Sequence, residues 1–95
     1  MEQYLINYHK KFNITPGEFI PCEYCAAEGK IVASVNVHHV VPRSHFGNKR
    51  MDERDHWTNL CALCGPHHSQ AHQGPDIAQF NDMLKEIVSK RNDVL

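Results

Sequence analysis

Two cysteine pairs, Cys22-x2-Cys25 and Cys61-x2-Cys64, constrain this chain more than any other feature. A chain of 95 residues buries little apolar surface, and proteins of this size commonly add a metal or disulfides to a thin core. One domain spanning 1–95 is expected. The sequence opens Met-Glu-Gln-Tyr with no charged-then-apolar leader, and it holds no apolar run of membrane-spanning length. A cytoplasmic protein with no membrane partner is therefore expected, and in a reducing compartment Cys-x2-Cys spacing favours metal over disulfides.

A tetrahedral zinc site takes four sulfur or nitrogen donors, and Cys22 with Cys25 supplies half of one. The other half has two registers: Cys61-x2-Cys64, or Cys64-x2-His67 with Cys61 a small buried apolar residue. Spacing does not choose between them, and Cys64 belongs to both. Either register ties the first knuckle to the base of the following segment. The binding energy of such a site is folding energy, so chelation is expected to unfold the chain.

Histidine is the second excess, eight in all, with His38-His39 and His68-x3-His72 in the middle of the chain. Imidazole changes charge near neutral pH and is a very common metal ligand. A lone strand histidine is ordinarily packed or on the surface, but two histidines four apart share one helical face. Added to the His38-His39 pair, they point to a metal site. His9, His45 and His56 are read as ordinary. Net charge is −1, so the whole molecule does not advertise a polyanion binder. Only Arg43, Lys49, Arg50 and Arg54 cluster, diluted by Asp52, Glu53 and Asp55.

Leu5, Tyr8, His9 and Phe12 recur at helical spacing, which predicts a helix over 2–12. An irregular connector with Pro16-Gly17 and Pro21 follows, then a tight knuckle at 22–25 and a turn at Gly29. The β-branched run from Ile31 to His38 predicts a strand that sends His38 and His39 to opposite faces and ends at Pro42. Residues 43–56 predict a loop returning as a short strand near His56 to Thr58. Pro66 opens a helix that Gly74 closes. A last helix over 76–91 begins with a capping box, Asp76 to Gln79, and carries the stripe Ile77, Phe80, Leu84, Ile87 and Val88.

Taken in order, Val37-His38-His39-Val40-Val41-Pro42-Arg43, then Asn59-Leu60, then Leu63-Cys64-x2-His67-His68-x3-His72 resemble the HNH endonuclease family over residues 22–72. The resemblance implies an α+β fold: a small zinc-stapled ββα-metal finger flanked by an N-terminal and a C-terminal helix. It sets His67 where the family has its last zinc cysteine, implying Cys22, Cys25, Cys64 and His67 as the structural zinc set, with Cys61 as the alternative. His38 stands where the family usually has aspartate. The His-His start and His-x3-His end are similar to the colicin nuclease branch. By resemblance, His38, His68 and His72 hold a divalent ion, His39 is the general base, and Asn59 orients His39 or fixes the loop beside it. The implied activity is nicking of DNA to 5′-phosphate and 3′-hydroxyl ends.

The chemistry agrees with these roles. Phosphodiester hydrolysis needs an activated water, positive charge for the transition state and stabilisation of the departing oxygen. Neutral imidazole takes a proton from water at pH 7, and Arg43, Lys49 and Arg50 are candidates for holding phosphate. An all-imidazole set suits Zn2+, Ni2+, copper or iron better than Mg2+, and Zn2+, Ni2+, Mn2+ and Mg2+ are the candidate ions. Such a site cuts one strand, so a double-strand break needs a homodimer or two successive nicks, and a larger partner would supply targeting. Small chains of this kind are similar to bacterial and phage nucleases. The rival readings are a non-catalytic zinc module binding nucleic acid or protein, and a ribonuclease.

Overall fold

Aromatic and apolar side chains every three to four residues make α1 (Gln3–Lys11), close to the expected span. The computed structural model describes residues 2–15, 17–46 and 50–94, apart from the side chain of His45. The knuckle tightens into a one-turn helix, α2 (Glu23–Ala27), in which the Cys22 sulfur accepts the Cys25 N–H. Gly29 ends it at φ 80°, a left-handed conformation that favours glycine.

The strands differ from expectation. Ile31 and Val35 are exposed, and that segment makes one isolated bridge, Pro21 with Ala33. Strand β1 is Asn36–His39, and its antiparallel partner β2 is Leu60–Leu63, not 56–58. β-Branched residues favour a strand only where a partner offers its N–H and C=O groups. Here the four residues of β2 set the length of β1, from Asn36 opposite Leu63 to His39 opposite Leu60. The intervening loop carries 3-10 turns at Arg43–His45 and Trp57–Asn59 and one helical turn, α3 (Met51–Arg54).

Helix α4 (Gly65–Gln73) follows β2 at once, with Pro66 in its first turn. Gly74 closes it at φ −75°, an extended rather than left-handed residue. Glycine is needed there for space, because a Cβ would lie 2.9 Å from the Gln70 carbonyl oxygen. Helix α5 (Ile77–Val94) buries Phe80, Leu84 and Val88, while Ile77 stays 38 % exposed. Phe80 N–H donates to the Asp76 carbonyl, and no side-chain bond closes the expected capping box among the described residues. No helix is long and apolar enough to cross a membrane among the described residues.

Strand β2 is buried along its whole length because helices cover both of its faces. Leu60 and Ala62 pack with Tyr8 on the α1 side, whereas Cys61 and Leu63 pack with Phe80, Leu84 and Val88 on the α5 side. Among the described residues its outer edge has no third strand. Instead Glu23 accepts the Ala62 N–H at 2.8 Å, and Arg91 donates to the Leu60 carbonyl at 2.8 Å. The two side chains close on each other at 2.8 Å, with Tyr8 Oη donating to Glu23 from α1. The ββα unit flanked by α1 and α5 is the expected α+β architecture.

Candidate active site

Two groups of metal-ligating side chains form among the described residues. Cys22, Cys25, Cys64 and His67 present donor atoms all within 4.8 Å of one another. Tetrahedral zinc with ordinary bond lengths spaces sulfur from sulfur by about 3.8 Å and sulfur from imidazole nitrogen by about 3.6 Å. The Cys25 and Cys64 sulfurs are 3.9 Å apart, and His67 Nδ1 lies 3.7, 3.5 and 3.2 Å from the sulfurs of Cys22, Cys25 and Cys64. Those spacings fit zinc. Burial and the adjacent Cys22 and Cys64 sulfurs push the Cys25 thiol up to about 12, an environment in which a thiolate calls for a cation at its centre. Cys61 lies outside this group. It is fully buried on β2 opposite His38, and burial raises its thiol well above the ordinary value.

The second group is His38, His68 and His72. Strand pairing puts His38 on the Cys61 face, toward α4, while its neighbour His39 turns to the α1 face and lies 4.6 Å from the Tyr4 ring. One turn of α4 separates His68 from His72, and their Nε2 atoms are 3.1 Å apart, close to the roughly 3.3 Å that two imidazoles keep on a tetrahedral ion. Burial drives the His38 imidazole down to about 4, with His72 and His68 adding to the shift and an Asn81 hydrogen bond opposing it. His68 is lowered too, by burial and then by His72. Neutral imidazole is the form that binds a metal.

Asn81 was not legible as part of this site. Its amide nitrogen donates to the Ala71 carbonyl at 3.0 Å and the Ile77 carbonyl at 2.9 Å, which turns Oδ1 toward His38 Nε2, 3.3 Å away. Position 81 is four residues after Ile77 and three before Leu84, so a polar residue on an apolar stripe was the available signal.

His39 Nε2 lies 3.0 Å from Asp55 Oδ1, and Arg54 holds the same carboxylate through Nε at 2.8 Å and a terminal nitrogen at 2.7 Å. Those Arg54 bonds, ahead of the His39 bond, hold the Asp55 carboxyl below its usual value. His39 itself is lowered by burial, against the pull of Asp55. Asp55 carried no sequence signal beyond its place in a mixed-charge run. Asn59 does not bond to His39. Its Oδ1 accepts the Val41 N–H at 2.8 Å, and its Nδ2 donates to the carbonyls of Val41 and Arg54, pinning both ends of the loop. Of the two roles expected of it, the loop is the one its bonds describe.

Tyr4, His38, His39, Arg43, His68 and His72 line one cleft of about 470 Å³. A hollow of about 660 Å³ between α1 and the 51–57 segment is larger, but among the described residues no group of metal-ligating side chains faces it. Arg43 is half-exposed beside Tyr4, 3.4 Å from Glu2. Arg50 pairs with Glu53 at 2.7 Å and does not line the cleft. Lys49 lies outside the described residues.

A family model described as HNH endonuclease matches residues 22–74. No curated protein and no solved structure matches the chain.

Proposed function

The chain belongs to the HNH endonuclease family, whose match covers more than half of its 95 residues, and we propose that it is a metal-dependent endonuclease that nicks DNA. One observation carries the reading: His39 shares a cleft with the group formed by His38, His68 and His72. His38, His68 and His72 would hold a divalent ion, which would supply positive charge to phosphate oxygens. His39 takes the proton from the attacking water, since burial keeps it neutral at pH 7. Arg43 at the cleft's rim binds a neighbouring phosphate as a guanidinium fork. Asn59 keeps the loop that carries Asp55 closed against the strand. The products are a 5′-phosphate and a 3′-hydroxyl, and no base-reading surface is assigned to the chain. The zinc set is Cys22, Cys25, Cys64 and His67, which the donor spacings support over a set with Cys61.

The test is conversion of supercoiled plasmid to open circles by metal-stripped, zinc-restored protein, with Mg2+, Mn2+, Ni2+ and Zn2+ supplied separately. Nicking is expected with at least one ion and is lost in His39→Ala, which keeps its fold and its zinc. A base works only when neutral, and burial holds His39 below its ordinary value, so activity is kept at neutral pH and lost as the pH falls into the acid range. Folded protein that cuts with no ion would sink the reading and leave a zinc module that binds nucleic acid or protein. An RNA substrate cut in preference to plasmid would make it a ribonuclease.

A further inference from the structure

We infer that Asp55 is a positioning residue for this reaction: its carboxylate locks the His39 imidazole as the Nε2–H tautomer, so that Nδ1 is the nitrogen that takes the proton from water. The inference rests on the nuclease reading above. An ionised carboxylate only accepts hydrogen bonds, so the 3.0 Å contact between Asp55 Oδ1 and His39 Nε2 places a hydrogen on Nε2. A neutral imidazole has one N–H, which leaves the lone pair on Nδ1. Among the described residues Nδ1 has no hydrogen-bond partner, and none of their buried side-chain nitrogens or oxygens lacks one. Nδ1 therefore keeps some exposure to solvent, and His39 lines the same cleft as His38, His68 and His72.

The pair is built, not incidental. Both side chains are 8 % exposed, so the contact lies out of bulk water. Arg54 grips the carboxylate along its two oxygens and fixes its plane. The backbone on either side is held as well, by Asn7 Nδ2 on the Asp55 carbonyl at 2.8 Å and by Asn59 Nδ2 on the Arg54 carbonyl at 2.9 Å. In the reaction an O–H bond of water breaks, its proton moves to Nδ1, and the water oxygen bonds to phosphorus. The bond from phosphorus to the 3′-oxygen breaks, its electron pair leaves on that oxygen, and solvent supplies the oxygen's proton. The imidazolium, ion-paired with Asp55, then returns its proton to solvent. Asp55 touches no reacting atom.

The experiment reads the tautomer and the kinetics separately. Long-range proton–nitrogen spectra of zinc-loaded protein at neutral pH, assigned against His39→Ala, are expected to show His39 with hydrogen on Nε2. Asp55→Ala is expected to show mixed tautomers and a kcat on plasmid DNA about 10- to 100-fold lower, the range for groups that orient a functional histidine. Its KM stays within about twofold, because a positioning residue does not hold DNA. Asp55→Asn, whose amide oxygen still accepts, recovers part of both signals, and zinc content checks the fold of each variant. Hydrogen on Nδ1 in the wild type, or wild-type kcat in folded Asp55→Ala, overturns the inference. The spectra separate its failure from that of the nuclease reading. An inactive wild type with Nε2–H keeps the lock and loses the enzyme, whereas an active one with Nδ1–H does the reverse.

Discussion

Asn81 stands to His38 as Asp55 stands to His39: an oxygen fixed by other bonds and aimed at Nε2. Partners of this kind set the orientation and basicity of a metal-binding imidazole. Asn81→Ala is expected to weaken Ni2+ or Co2+ binding at the three-histidine group by about 10- to 100-fold, read by competition with a chromogenic chelator, with zinc at the cysteine group unchanged. Unchanged affinity would make Asn81 a tie between α4 and α5 and nothing more. The cysteines and central histidines were legible because metal chemistry dictates short, regular spacings that survive as sequence. Choosing His67 over Cys61 took the family register, because both spacings satisfy zinc equally well. Asp55 was illegible for a different reason. What separates it from Asp52 and Glu53 is burial against a histidine on another element, and composition does not report burial.

Strand β2 depends on two charged side chains to complete its outer edge, and at this scale Arg91 is the decisive one. It donates to Glu23, to the Leu60 carbonyl and to the Trp57 carbonyl, and it is largely buried. Arg91→Met leaves the Glu23 carboxylate and two carbonyls without their partner, which should cost about 3 kcal/mol in urea unfolding. A loss under about 1 kcal/mol would mean that the pair behaves like an ordinary surface bridge. Helices α1, α4 and α5 were legible because each carries its own period or its own terminators. Of β1 only the end was legible, with the opposite facing of His38 and His39: Ile31 to Val35 have the composition of a strand but are largely exposed, and pairing with Leu60–Leu63 picks out Asn36–His39. Arg91, seven residues after Leu84 on the buried face, left the same kind of trace as Asn81, a polar residue where the stripe calls for an apolar one.

Across the whole molecule, two small clusters back onto β2 from opposite sides, and the Cys22, Cys25, Cys64 and His67 group joins α2 to α4. Zinc bound by such a set contributes roughly 10 kcal/mol or more, which is comparable with the entire stability of a small domain, about 5–15 kcal/mol. Stripping it should abolish the helical circular dichroism signal, and adding one equivalent of Zn2+ should restore it. A native spectrum in excess chelator would show that the clusters suffice alone. His67 and His68 are adjacent on α4, one facing each group. Zinc bound at the knuckle would therefore set the azimuth of the helix that carries His68 and His72. On the nuclease reading, loading would have a direction: a chain made where zinc is scarce would be born without scissors as well as without a staple, and a second metal supplied later would find no helix set to receive it.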